Sequence, residues 1–170
     1  MDIPKRKHNR LPDYDYSAPG AYFITICTKN REDLFWNMRS APGGNVGAAT
    51  CRPPYETQIP ACLTQVGEIV EKAIRNIPGI YSQVTLEKYV VMPDHVHLLL
   101  RIEGDENGRQ VAAPTVNTIV GQMKRWVTGQ IGRPVWQRSF YEHVIRNETD
   151  YRQVWEYIEN NPAKRTQRSV

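Results

Sequence analysis

The sequence predicts an α+β fold built on an antiparallel sheet. Three observations carry this. Strand-like and helix-like stretches are mixed along the chain rather than alternating strictly. Two apolar runs in the middle are separated only by a Pro-Asp pair, Pro93-Asp94, which reads as the tight turn of a hairpin. The order strand, helix, strand, strand, helix, strand follows the split β-α-β plan of ferredoxin-like folds, and one further helix closes the chain.

Ala21 to Thr28 (AYFITICT) is rich in β-branched and aromatic residues and follows a Pro-Gly break, so it reads as a buried strand. In Leu63 to Ile77, the residues Leu63, Val66, Val70, Ala73, Ile74 and Ile77 recur at helical spacing, and Pro78-Gly79 stops the pattern. Val84 to Met92 and His95 to Ile102 are the two arms of the hairpin. Glu103 to Gly108 is an acidic, Gly-bearing loop. A second helix is expected from about Thr115 to Thr128, with Val116, Ile119, Val120, Met123 and Val127 as its stripe and Gly129 after its end. Gln137 to Ile145 reads as a further strand. The last helix starts near Asn147, a good N-cap, and is expected to end at Asn161-Pro162.

Two segments stand outside this scheme. Residues 1–20 form a polar, basic arm that carries Arg6, Arg10, Tyr14 and Tyr16. Such an arm is either a solvated tail or a contact to a nucleic-acid backbone and its bases. Residues 37–60 hold four prolines, Pro42, Pro53, Pro54 and Pro60, together with Gly43, Gly44 and Gly47, and read as a long loop.

Composition narrows the class. A chain of 170 residues suits one domain spanning 1–170. Its 22 basic and 18 acidic residues give a formal charge of +4, a mild lean toward polyanionic partners. Cys27, Cys51 and Cys62 are odd in number and include no C-x-x-C pair, which argues against a disulfide framework and for a reducing cytoplasm. The basic N-terminus has no apolar core behind it, and no apolar run approaches the roughly 20 residues that span a bilayer. No membrane partner is therefore expected. G-x-x-x-x-G-K, G-x-G-x-x-G and H-E-x-x-H motifs are lacking, so nucleotide hydrolysis, dinucleotide binding and metalloprotease chemistry find no handle.

The chemistry concentrates in Met92-Pro93-Asp94-His95-Val96-His97. Side chains alternate along a strand, so His95 and His97 share one face. Two such imidazoles either hold one metal ion or pack as ordinary strand residues. On the last helix, Tyr151, Val154, Trp155 and Ile158 make the apolar stripe, with Tyr151 near its centre. Tyr157 lies about 100° off that centre, where its ring can pack while its hydroxyl reaches a cleft. Asn161 follows one turn later on the same flank. The hypothesis is a metal held by His95, His97 and the Asn161 amide, with Tyr157 beside it. This donor set is open, unlike a closed structural zinc site. An ion held so is a Lewis acid for a phosphodiester, and a phenol is a competent nucleophile. Lys124 and Arg125 fall off the stripe of the second helix, toward solvent or a ligand.

These residues resemble the REP-associated tyrosine transposases of the HUH endonuclease superfamily. Three stretches carry the resemblance: Leu11 to Phe35, Val90 to Leu99 (VVMPDHVHLL) and Val135 to Lys164, which contains Tyr157-Ile158-Glu159-Asn160-Asn161-Pro162. Residues 37 to 60 are the least family-like part. The family's histidine pair falls on His95 and His97, its nucleophilic tyrosine on Tyr157 and its amide ligand on Asn161. Tyr141 is left as structural. The resemblance implies a ferredoxin-like sheet, Mg²⁺ or Mn²⁺, and cleavage of single-stranded DNA through a 5′-phosphotyrosine. It also implies recognition of short palindromic hairpins in bacterial genomes, hence a cytoplasmic, nucleoid-associated protein that acts as a monomer or homodimer. Arg6, Arg10, Lys124 and Arg125 are the expected backbone contacts.

Two rival readings remain. One is a non-catalytic single-strand nucleic-acid-binding module, since this fold class also recognises single strands through sheet aromatics. The other is a metal-dependent phosphodiesterase that uses water. It would keep the histidines and tolerate loss of Tyr157.

Overall fold

The computed structural model describes residues 18–37, 62–104 and 114–166. The arm with Arg6 and Arg10, most of the 37–60 loop and most of the acidic loop lie outside the described residues.

Four strands form the main sheet: β1 (Gly20–Cys27), β4 (Val84–Val91), β5 (His95–Ile102) and β6 (Tyr141–Ile145). Their order is β4-β5-β1-β6, and each neighbouring pair is antiparallel. Each helical crossover therefore skips one strand, and the skipped slot is filled by a strand of the other unit. This is the ferredoxin-like arrangement the element order predicts. A two-residue ladder, β2 (Trp36–Asn37) with β3 (Cys62–Leu63), closes the base of the intervening loop and was not expected.

Alternation along the strands divides the sheet into two faces. Tyr22, Ile24 and Ile26 of β1 and Val96, Leu98 and Leu100 of β5 point to one side. They pack under α1 (Gln65–Arg75) and α3 (Val116–Ile131), which contribute Val70, Ile74, Ile119, Val120 and Val127. The opposite face holds Phe23 and Leu99, covered by Val154 and Ile158 of α4 (Glu148–Thr166). Burial of each such aliphatic side chain contributes about 1.5–3 kcal/mol, enough to seat a helix by its stripe alone.

Helix ends follow local chemistry, with two corrections. Thr64 caps α1 by accepting from the Gly67 N–H at 3.1 Å, and the Pro-Gly pair expected to stop that helix sits in a short turn of helix, α2 (Ile77–Ile80). Thr115 caps α3 in the same way. The Asn147 side chain accepts from the Asp150 N–H at 2.8 Å and starts α4. The first correction concerns α3, which passes through Gly129 and ends at Gly132, whose φ of 74° is the left-handed conformation that glycine tolerates at a helix end. The second concerns α4, which continues past Pro162 to Thr166. Proline removes one helical hydrogen bond, and the turns on either side keep theirs. The strand expected from Gln137 begins only at Tyr141. Before it, Trp136 makes an isolated bridge to Thr28, and the Gln137 N–H donates to the Cys27 carbonyl.

Candidate active site

The site lies on the α4 face, at the end of the sheet where the Pro93-Asp94 turn joins β4 to β5. Strand register sets its members. His97 of β5 stands opposite Thr25 of β1, and His95 stands opposite Cys27. All four side chains therefore point to the face that α4 covers. The Thr25 hydroxyl lies 2.8 Å from His97 Nδ1, and Asp94 Oδ1 lies 2.6 Å from His95 Nδ1. Each imidazole thus has its Nδ1 occupied. That leaves the two Nε2 atoms facing one another 3.1 Å apart.

Burial keeps His97 neutral. Burial pushes the pKa of His97 down to about 3, helped by His95 and by the Arg31 guanidinium, while Asp94 pulls the other way. Burial likewise raises the Cys27 thiol above its ordinary value. A neutral imidazole keeps a lone pair available, as a ligand requires.

The helix α4 brings the tyrosine. With Val154 and Ile158 seated on Phe23 and Leu99, the Tyr157 ring lands 5.2 Å from that of His97 and 5.9 Å from that of Phe23, edge-on to both. Phe23 in turn stacks on His97 at 5.2 Å. Tyr157 remains 44% exposed, so its ring is held while its edge stays open to solvent. Tyr151 stacks instead on Trp155 and faces Arg101, as a packing residue does. A second anchor fixes the helix. Lys88, 4% exposed in β4, pairs with Glu159 at 3.4 Å and lies 4.1 Å from the centre of the Trp155 ring. Glu159 stands midway between Tyr157 and Asn161, so this contact restrains both.

Asn161, the third expected ligand, lies on α4 one turn after Tyr157, and its Nδ2 is buried with no hydrogen-bond partner among the described residues. That nitrogen is a donor, so the atom a metal would take from this side chain is the amide oxygen. Two donors at right angles around one ion, each about 2.1 Å from it, stand about 3.0 Å apart, close to the histidine separation. The residues present therefore fit a divalent ion. Among the described residues, no group of three or more His, Cys, Asp and Glu side chains could hold a metal.

The other expected residues lie elsewhere. Lys124 and Arg125 are on α3, across the sheet from the histidines. The Lys124 ammonium donates to the carbonyls of Gln137 at 2.6 Å and Arg138 at 3.2 Å, a structural role that helical periodicity did not reveal. Tyr141, opposite Thr25 on β6, is 48% exposed. Sequence reasoning missed Thr25, Asp94 and Arg31. Asp94 was read only as a turn residue, although its place beside His95 was a usable signal. Arg31 Nη1 lies 3.3 Å from Asp94 Oδ2.

The sheet order and its flanking helices define a class of fold, the ferredoxin-like α+β sheets. The chain belongs to the IS200-like transposase family, whose model matches residues 54–161. An uncharacterized protein of Haemophilus influenzae is 32% identical over 179 residues, covering 94% of this chain and 89% of that protein. A REP-associated tyrosine transposase of Escherichia coli K12 is 33% identical over 81 residues, 46% of this chain and 44% of the relative. The solved structure of a REP-associated tyrosine transposase bound to a REP hairpin superposes with a TM-score of 0.59 at 21% identity. The match covers 92% of this chain and 74% of that one, and it supports the fold. No helix among the described residues is long and apolar enough to cross a membrane.

Proposed function

We propose that this protein cleaves and transfers single-stranded DNA through a covalent 5′-phosphotyrosine on Tyr157, acting on short palindromic hairpins of the REP type. The observation that carries the proposal is the convergence of His95 Nε2 and His97 Nε2, 3.1 Å apart, beside the Tyr157 ring. The Tyr157 oxygen attacks phosphorus, the bond from phosphorus to the 3′ oxygen breaks, the phenolic proton leaves to solvent and the departing 3′ oxygen takes a proton from solvent. The products are a 3′-hydroxyl strand and a 5′ end esterified to the tyrosine. The new ester conserves the energy of the broken bond, so rejoining needs no nucleotide cofactor.

His95, His97 and Asn161 would hold Mg²⁺ or Mn²⁺, which supplies Lewis-acid polarisation of the phosphodiester when bound. Asp94 and Thr25 orient the imidazoles, and Phe23 holds the Tyr157 ring against His97. The relatives named for REP sequences support the hairpin substrate. Arg6 and Arg10 of the arm and Arg125 of α3 are assigned to the DNA backbone. Lys124, being engaged with two carbonyls, contributes mainly to placing α3.

Incubation with short hairpin DNA and Mn²⁺, followed by a denaturing gel, tests the reading. A covalent protein–DNA band is expected. Cutting without an adduct would favour the water-using phosphodiesterase. Binding without cutting would favour the binding module.

A further inference from the structure

Arg31 occupies an unusual backbone. Asn30 and Arg31 have φ values of 58° and 59°, two consecutive non-glycine residues in the left-handed region. That conformation costs free energy and persists only where surrounding contacts impose it. Here they do. The Thr28 hydroxyl donates to the Glu32 carbonyl at 2.9 Å, and the Lys29 N–H donates to the Val135 carbonyl at 2.7 Å. The N–H groups of Leu34 and Phe35 both donate to the Pro93 carbonyl, which ties this turn to the one that leads into His95.

The result is a guanidinium at the mouth of the site. Its side chain is 55% exposed, and among the described residues its side-chain hydrogen bond is a 3.3 Å contact to Asp94 Oδ2, one of the five N–H donors a guanidinium carries. Its charge reaches the histidines, since it helps to lower the pKa of His97. A fixed cation so near a metal-binding pair opposes metal binding unless an anion joins them. Asp94 offsets part of that charge, with one oxygen toward Arg31 and the other toward His95, and the guanidinium still faces solvent on its exposed side.

We propose that Arg31 is a substrate-binding residue that grips a non-bridging oxygen of the DNA phosphodiester at the cleavage position. This rests on the function proposed above. An arginine fork suits a phosphate, and its contact to Asp94 is long enough to be exchanged for a shorter, charge-assisted one. Arg31 then compensates the phosphodiester charge from the Asp94 end of the site.

The test is a methylphosphonate walk. Single-stranded hairpins are made with one neutral linkage at each position in turn, and their affinities for the wild type and for Arg31→Gln are measured without metal. Wild-type protein should lose about 10-fold at one linkage, the range expected for a charge-assisted contact. Arg31→Gln should bind native DNA about 10-fold more weakly and be indifferent to the neutral linkage at that position. Arg31→Lys should fall between. Mn²⁺ affinity of Arg31→Gln should be unchanged or higher. Equal weakening of Arg31→Gln at every linkage, or lost Mn²⁺ affinity in it, would make Arg31 a support for Asp94 and overturn the proposal. Arg31→Gly, which relieves the backbone, is the control for folding. A wild type that forms the Mn²⁺-dependent adduct yet shows no linkage coupled to Arg31 sinks this inference alone. A wild type that binds no hairpin sinks the proposed function as well.

Discussion

His95 Nε2 and His97 Nε2 face each other across 3.1 Å, with the Nδ1 atoms engaged by Asp94 and Thr25. Two lone pairs at that distance repel, and two N–H groups would clash. The pair is stable with one shared proton or with one cation between its nitrogens. Its geometry is therefore set before any ion arrives, by a turn residue on one side and a neighbouring strand on the other.

Thr25→Val tests this preorganisation. It keeps the shape of the side chain and removes the oxygen that holds His97 Nδ1. Partners behind a metal-ligating histidine typically contribute 10–100-fold in metal affinity. Titration calorimetry with Mn²⁺ should show a loss of about that size, and His97→Ala should abolish binding. Unaltered Mn²⁺ affinity in both variants would remove the histidines from the metal site.

Tyr157→Phe removes one oxygen from a ring whose packing on His97 and Phe23 uses only carbon edges and faces. Thermal stability, hairpin affinity and metal affinity should stay near wild type, while the covalent adduct disappears. Tyr151→Phe and Tyr141→Phe should both still form adduct. Full adduct formation by Tyr157→Phe would move the nucleophile to another residue.

The metal-free protein should lose stability in mild acid. His97 has a folded pKa of about 3 against an ordinary 6.5. Between those values the unfolded chain binds a proton that the folded chain refuses. The stability is fully present above about pH 6.5 and declines as pH falls toward 3, by an amount on the order of a few kcal/mol. His95 and Arg31 oppose protonation, Asp94 favours it, and the Thr25 hydroxyl is neutral. Urea unfolding in a chelator from pH 7.5 to 4 measures the slope. His97→Gln should flatten it, and an equally steep decline in that variant would assign the effect to other groups.

Lys124 and Arg125 should behave differently although they are adjacent. Arg125→Gln should lower the salt slope of hairpin binding by roughly 0.7 to 0.9 if it meets one phosphate. Lys124→Met should instead lower stability, by about 1–3 kcal/mol, because the carbonyls of Gln137 and Arg138 lose their donor. A salt slope that changes for Lys124→Met and not for Arg125→Gln would reverse the two roles.

Much of this molecule is decided by local periodicity. The two-residue repeat of a strand was enough to put His95 and His97 on one face. The 3.6-residue repeat of a helix was enough to set Tyr157 off the centre of the stripe that carries Val154 and Ile158, whereas Asn161, seven residues after Val154, stays close to it. Caps at Thr115 and Asn147 and the hairpin turn at Pro93-Asp94 were likewise legible, because each depends on neighbours within four residues. Gly129 and Pro162 misled as stop signals, since α3 runs on to Ile131 and α4 to Thr166.

What the tertiary structure alone decided spans long separations. Thr25 and His97 are 72 residues apart and meet only because β1 inserts beside β5 in that register. Lys88 finds Glu159 because α4 lies across β4, and Lys124 finds two carbonyls because the segment before β6 runs beneath α3. Arg31 reaches Asp94 through a left-handed turn that asparagine favours at position 30 and arginine does not at position 31. Sequence spacing encodes which face a side chain takes, a property of one element's dihedral angles. It does not encode which element lies opposite, because that depends on how several faces are buried at once.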